Sequence, residues 1–206
     1  MPVMNEDEYF TIGLQQRTAE LKIKGSRFIG NAAPVATEEL ATEFIHSIAR
    51  QFYSATHNCY AYSFGLSPSV TTRFNDDGEP SGTAGQPILS AILGRNLANV
   101  AVVVTRYFGG TKLGKGGLVH AYADCANLAL DACPVIRNYI YSQAKVKFDY
   151  ALTGAVMHLV DLFDATVEES FYGDRTELAL AVRRSVFEDF KNQLIEKTAG
   201  NISITH

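Results

Sequence analysis

The run Val100-Ala101-Val102-Val103-Val104-Thr105-Arg106-Tyr107, followed at once by Phe108-Gly109-Gly110-Thr111-Lys112-Leu113-Gly114-Lys115-Gly116-Gly117, decides how this chain is read. Its first eight residues are largely β-branched and do not alternate with polar ones, which predicts a strand buried on both faces. The glycine loop Gly109 to Gly117 then leads into a helix from Leu118 to about Ala132. Upstream the same order recurs. Strand-like runs Cys59–Leu66 and Val70–Asn75 are joined by Ser67-Pro68-Ser69, and the turn Asp76-Asp77-Gly78-Glu79-Pro80 precedes a helix from about Ala84 to Leu93. Before them, Tyr9–Ile12, Thr18–Ile23 and Phe28–Val35 read as strands. Thr37 is placed to cap a helix with Glu38 and Glu39 in its first turn and an apolar stripe of Leu40, Phe44, Ile45 and Ile48.

Pro134 sets the expected domain boundary, because a helix seldom runs past such a residue. The chain therefore divides into residues 1–133 and 134–206. The second part reads as one long strand Val135–Tyr150, a helix Leu152–Phe163, strands Thr166–Tyr172 and Thr176–Val182, a helix Ser185–Thr198 and a strand Asn201–Thr205. That is the β-α-β-β-α-β, split-βαβ order of a ferredoxin-like domain. The fold class is α+β with two domains.

With 206 residues, 47% hydrophobic and 19% charged, the chain has ample material for a core. No window approaches the roughly 18 apolar residues of a membrane span, and the acidic start MPVMNEDEYF lacks the pattern of a secretory leader. A cytoplasmic location is expected. Three cysteines without a CxxC argue against a disulfide framework and a cysteine zinc site, so each is expected in the core. Cys59 and His57 fall on one face of a strand, a possible nucleophile pair, but no third group to orient them is evident.

Net charge is -4, which does not describe a protein built to coat nucleic acid. The average hides a block: positions 80 to 123 hold no Asp or Glu but include Arg95, Arg106, Lys112 and Lys115. An anion-binding surface belongs there. Glycine loops that open helices present free backbone N–H groups to an anion; they also serve tight turns and close packing, and both readings stand. The segment from Gly109 to Lys115 reproduces G-x-x-x-x-G-K, but Gly116 stands where a P-loop needs a magnesium-binding hydroxyl. Asp76, Asp77 and Glu79 suit acid–base or metal chemistry, yet the same residues are the vocabulary of a solvated turn, which is preferred. His57 and His120 read as structural rather than as ligands, and no metal or cofactor is expected. Tyr107 and Phe108 beside Arg106, with Tyr60 and Tyr62 on the hairpin, could stack on bases or fill a core.

The strings from Asn75 to Pro87 and from Val103 to Gly114 closely resemble the signatures of the IMPACT family, as do Lys24-Gly25-Ser26-Arg27-Phe28 and His57-Asn58-Cys59-Tyr60-Ala61. The resemblance covers the whole chain, in the two-domain architecture of the bacterial YigZ type. The family pattern falls on Arg27, His57, Asp76, Asp77, Glu79, Arg106, Gly109, Gly110, Gly114, Gly116 and Gly117. Lys112 and Lys115 sit where the pattern is permissive, and Gly25 is an insertion into the usual Lys-Ser-Arg-Phe run.

The resemblance implies an N-terminal domain like domain 2 of ribosomal protein S5 and a ferredoxin-like C-terminal domain similar to one in elongation factor G. Eukaryotic relatives regulate translation through a protein partner of a stress kinase and are found with ribosomes. The expected function is therefore a translation-associated binding protein, with RNA, the ribosome or a translation-regulatory protein as partner. Arg27, Arg73, Arg106, Lys112 and Lys115 would contact phosphate and Tyr107 or Phe108 would stack, while Gly109, Gly110, Gly114, Gly116 and Gly117 would let backbone come close. The alternative is an enzyme for a small anionic or phosphorylated substrate, with Asp76, Asp77, Glu79 and His57 facing the 109–117 loop across a cleft. A third reading is a protein-interaction module that docks through the sheet of the C-terminal half. The binding reading is placed first.

Overall fold

The computed structural model describes residues 7–13 and 17–205. Residues 1–6, on which part of the leader reading rests, lie outside the described residues. The chain divides into two compact units: Tyr9–Arg137, and residues from Asn138 onward together with Asp7 and Glu8.

The first unit is built on a five-stranded antiparallel sheet. Its strands are β2 (Arg17–Ile23), β3 (Ser26–Pro34), β4 (His57–Phe64), β5 (Thr71–Asn75) and β6 (Val100–Tyr107), in the order β2-β3-β6-β4-β5. The β-branched run is the central strand. Val100, Val102 and Val104 pack with helices α2 (Gly85–Leu93) and α3 (Gly114–Asp131), while Ala101 and Val103 pack with α1 (Glu38–Gln51) on the opposite face. Burial on both faces follows directly from the unbroken apolar run.

Thr37 caps α1 as expected, its hydroxyl accepting from the Leu40 amide at 3.3 Å. The buried stripe of α1 is Ala41, Ile45 and Ile48, whereas Leu40 is exposed. On α3 the buried set Leu118, Ala121, Tyr122, Cys125, Ala126, Ala129 and Leu130 follows the helical period. All three cysteines are buried thiols outside any disulfide. Helix α3 starts four residues before Leu118, so Gly114, Lys115, Gly116 and Gly117 form its first turn instead of loop.

The second unit holds an antiparallel sheet of β8 (Tyr141–Phe148), β9 (Thr166–Tyr172), β10 (Thr176–Arg183) and β11 (Ile202–Thr205), in the order β11-β8-β10-β9. Helices α4 (Thr153–Leu162) and α5 (Phe187–Lys197) complete the β-α-β-β-α-β order. Alternation sorts the faces: Ala144, Val146 and Phe148 join the core while Lys145 and Lys147 point away from it. The expected long strand is two strands. Strand β7 (Val135–Tyr139) pairs with β1 (Glu8–Ile12), and the break falls at Ile140. There the Ile140 amide donates to the Asp7 carbonyl at 2.7 Å, and its own carbonyl accepts from Arg184 at 2.9 Å. The buried Asp7 carboxylate accepts from Arg183 and from the Ser185 hydroxyl. Burial alone would raise this carboxyl, but those donors hold it below its ordinary range.

Candidate functional site

The turn after β5 is closed by its own carboxylates. Asp76 accepts from the backbone amides of Gly82, Ala84 and Gly85 at 2.8 to 2.9 Å, so it neutralises the start of α2. Burial would raise the Asp76 carboxyl, yet these three donors outweigh it and hold the group below 3.8. Asp77 accepts from the Asn58 amide at 2.6 Å, and its carbonyl accepts from His57 Nδ1 at 2.7 Å. That bond fixes the imidazole with Nε2 turned toward Glu79, 3.9 Å from Oε1. Cys59 shares the face with His57, but its thiol donates to the Asp76 carbonyl and burial raises it well above its usual range. A buried thiol of that kind is not an activated nucleophile.

Glu79 is the third acid and it is buried. Its Oε1 accepts from Arg106 Nη1 at 2.5 Å and from the Tyr122 hydroxyl at 2.8 Å, with both side chains of the ion pair about 95% covered. The Arg106 guanidinium lies between the rings of Phe28 and Phe108, 5.4 Å from each centroid, and Nη2 reaches Ser26 Oγ at 3.3 Å. Its Nε is buried with no hydrogen-bond partner. Ser26 and Phe28, from the run Lys24-Gly25-Ser26-Arg27-Phe28, and Tyr122 complete this network; Tyr122 has no part in the sequence reading, and its signal is its place in the apolar stripe of α3, where a buried hydroxyl needs an acceptor.

The second glycine loop begins where Gly109 crosses the β2–β3 turn. Lys24 and Gly25 both have positive φ, as a two-residue hairpin turn demands. A Cβ on Gly109 would lie 1.9 Å from the Gly25 carbonyl carbon, so backbone meets backbone here and only glycine fits. Beyond it Lys112 and Lys115 are exposed, and α3 opens with Leu113 at its N-cap, no side-chain cap and no acid in the first turn. A cavity of about 380 Å³ is lined by residues of this helix start and of the acidic turn: Glu79, Pro80, Arg106, Phe108, Lys112, Leu113, Gly114, Lys115 and Leu118.

The remaining expected residues do not gather here. Consecutive strand residues point to opposite faces; Arg106 faces α2 and α3, so Tyr107 and its cross-strand partner Arg27 face α1. Arg27 pairs with Glu20 at 2.8 Å and lies over Tyr107. Arg73 also sits on the α1 side, 3.1 Å from Glu38, which accepts from the Tyr62 hydroxyl as well. Tyr60 and Tyr62 are stacked on each other beside α1. Among the described residues no three His, Cys, Asp or Glu side chains converge as metal ligands, and no helix is long and apolar enough to cross a membrane.

Both glycine loops fall inside residues 24–130, which match the family model described as the Impact N-terminal domain, and residues 146–201 match a domain of unknown function, DUF1949. The chain belongs to the IMPACT family. It is 36% identical over 196 residues to the IMPACT family member YvyE of Bacillus subtilis, covering 95% of this chain and 89% of that protein. It is 32% identical over 184 residues to the IMPACT family member YigZ of Escherichia coli, covering 89% and 90%. A crystal structure described as that of a hypothetical protein superposes with a TM-score of 0.75 at 29% identity, covering 97% of each chain. That structure therefore shares the IMPACT-family fold along nearly the full length.

Proposed function

We propose that this IMPACT-family chain is a binding protein that acts in translation, engaging RNA, the ribosome or a translation factor through the face formed by residues 108–117. One observation carries the reading: the charges of the two loops have opposite fates. Asp76, Asp77 and Glu79 each accept hydrogen bonds from groups of the fold, with Glu79 buried and Asp77 at the surface, whereas Lys112 and Lys115 stand exposed without an ion-pair partner among the described residues. Unpaired lysines on an acid-free glycine loop suit phosphate or an acidic partner surface. The same carboxylate bonding weakens the enzyme alternative, which needs those acids free to exchange protons. A place in translation is supported by family membership, since eukaryotic IMPACT proteins regulate that process.

Sucrose-gradient sedimentation of tagged protein in lysate of its own host, with and without RNase and at two salt concentrations, tests the reading. The chain should travel with ribosomal particles at low salt and shed from them at high salt, as counterion release requires. Lys112→Glu with Lys115→Glu should leave it at the top of the gradient. Arg106→Glu is unsuitable, because it would place a second buried carboxylate against Glu79. Wild-type protein that stays at the top under every condition would contradict the proposal.

A further inference from the structure

We propose that the open face of the C-terminal sheet pairs with the same face of a second copy of this chain, about a two-fold axis that runs along β10. This face lies in the second unit and shares no residue with the 108–117 face.

Helices α4 and α5 pack against one side of the sheet, on Val146, Leu178 and Leu180. The residues that alternate with these point the other way, and the strand registers set them in two rows. From β11 to β9, one row runs Ser203, Lys147, Glu177, Phe171 and the next runs Thr205, Lys145, Ala179, Glu169. Together they line a trough of about 660 Å³. All but Ala179 are exposed, and Phe171 shows 65% of its surface. An aromatic ring thus stands in water on an uncovered sheet.

The charges select what covers it. Two lysines and two glutamates balance to zero, which gives phosphate no net attraction. They are sorted by strand: both lysines stand on β8, and the acids on β10 and β9. Lys147 and Glu177 are cross-strand neighbours and pair at 2.5 Å. Lys145 and Glu169 flank Ala179, with backbones two strand spacings or roughly 10 Å apart. Neither has an ion-pair partner among the described residues.

A partner that satisfies both must bring an acid over Lys145 and a base over Glu169, with nothing bulky between them. A second copy turned about β10 meets that demand by symmetry alone. The two-fold exchanges β8 with β9, so Lys145 of each copy lies over Glu169 of the other, and Lys147 comes over the Phe171 ring. Ala179 meets Ala179 on the axis, where its small side chain lets the sheets approach to the roughly 10 Å of face-to-face packing. Glu177 also meets its own copy there, each one neutralised by Lys147. The paired charges fix the register.

The test is analytical ultracentrifugation of the full chain over a dilution series. Wild type should pass from monomer to dimer as concentration rises, and added salt should favour the monomer. Lys145→Glu and Glu169→Lys should each raise the dissociation constant about tenfold or more, since each sets like charges together at two equivalent contacts. Mixed in equal amounts, these two variants should form a mixed dimer as tight as the wild type, because each supplies the charge the other lacks. The chain carrying both changes should likewise pair with itself. Recovery on mixing also shows that the variants are folded. Wild type that stays monomeric up to roughly 100 µM overturns the proposal. So does a dimer that neither substitution weakens, or one that mixing fails to restore. A monomer that gains mass with a short RNA, and loses that gain in Lys145→Glu, overturns it too and assigns the face to nucleic acid.

Discussion

The two glycine loops of the first unit share a plan and differ in what completes them. Each follows a strand of the same sheet and opens a helix. The first carries its own anion, for Asp76 accepts three amides at the start of α2 and Asp77 and Glu79 tie the turn to β4, β6 and α3. The second carries none, and leaves the start of α3 beside two lysines that have no ion-pair partner among the described residues. A glycine loop before a helix is thus not a ligand site in itself. It becomes a candidate only where the chain omits the counter-charge.

Removing the internal anions should damage the fold far more than removing the external cations. Glu79→Ala leaves Arg106 buried without its partner and should cost about 3–5 kcal/mol of stability, read from urea unfolding. Asp76→Ala strips three amides of one acceptor and should cost about 2–3 kcal/mol. The Asp76 contribution also has a pH signature. Its folded pKa lies below the ordinary 3.8, so its stabilisation is complete above that pH and drains away as pH falls through the lower folded value. Wild-type unfolding midpoints should therefore drop on acidification below about pH 4, and Asp76→Asn should flatten that slope. Equal slopes in the two proteins would place the acid sensitivity elsewhere. Lys112→Ala with Lys115→Ala should change stability by no more than about 0.5 kcal/mol while weakening partner binding. A large loss of stability there would erase the contrast between the loops.

Much of the architecture is legible in the sequence because its signals are local. The run Val100–Tyr107 announces a doubly covered strand, Thr37 its cap, and the order of elements after Tyr141 the β-α-β-β-α-β unit. What stays hidden depends on register or on distant partners. The break at Ile140 is set by Asp7 and Arg184, far away in sequence. The early start of α3 is masked because three of its first four residues are glycine. Whether Glu79 is solvated or buried turns on Arg106 and Tyr122 meeting it from two other elements. Arg106 and Tyr107 are neighbours on a strand and face opposite sides of the sheet, whereas Phe108 lies by the Arg106 guanidinium.

The most direct test gives the second loop the anion it lacks. Gly116 lies in the first turn of α3, and a side chain there meets nothing within 4 Å, so Gly116→Asp is accommodated sterically. An acid at that position complements the dipole and replaces a poor helix former, and should raise stability by about 0.5–1 kcal/mol. The measurement is co-sedimentation of Gly116→Asp with ribosomes beside its unfolding midpoint. The account predicts a midpoint that holds or rises with association lost. A Gly116→Asp protein that sediments with ribosomes as the wild type does would contradict it.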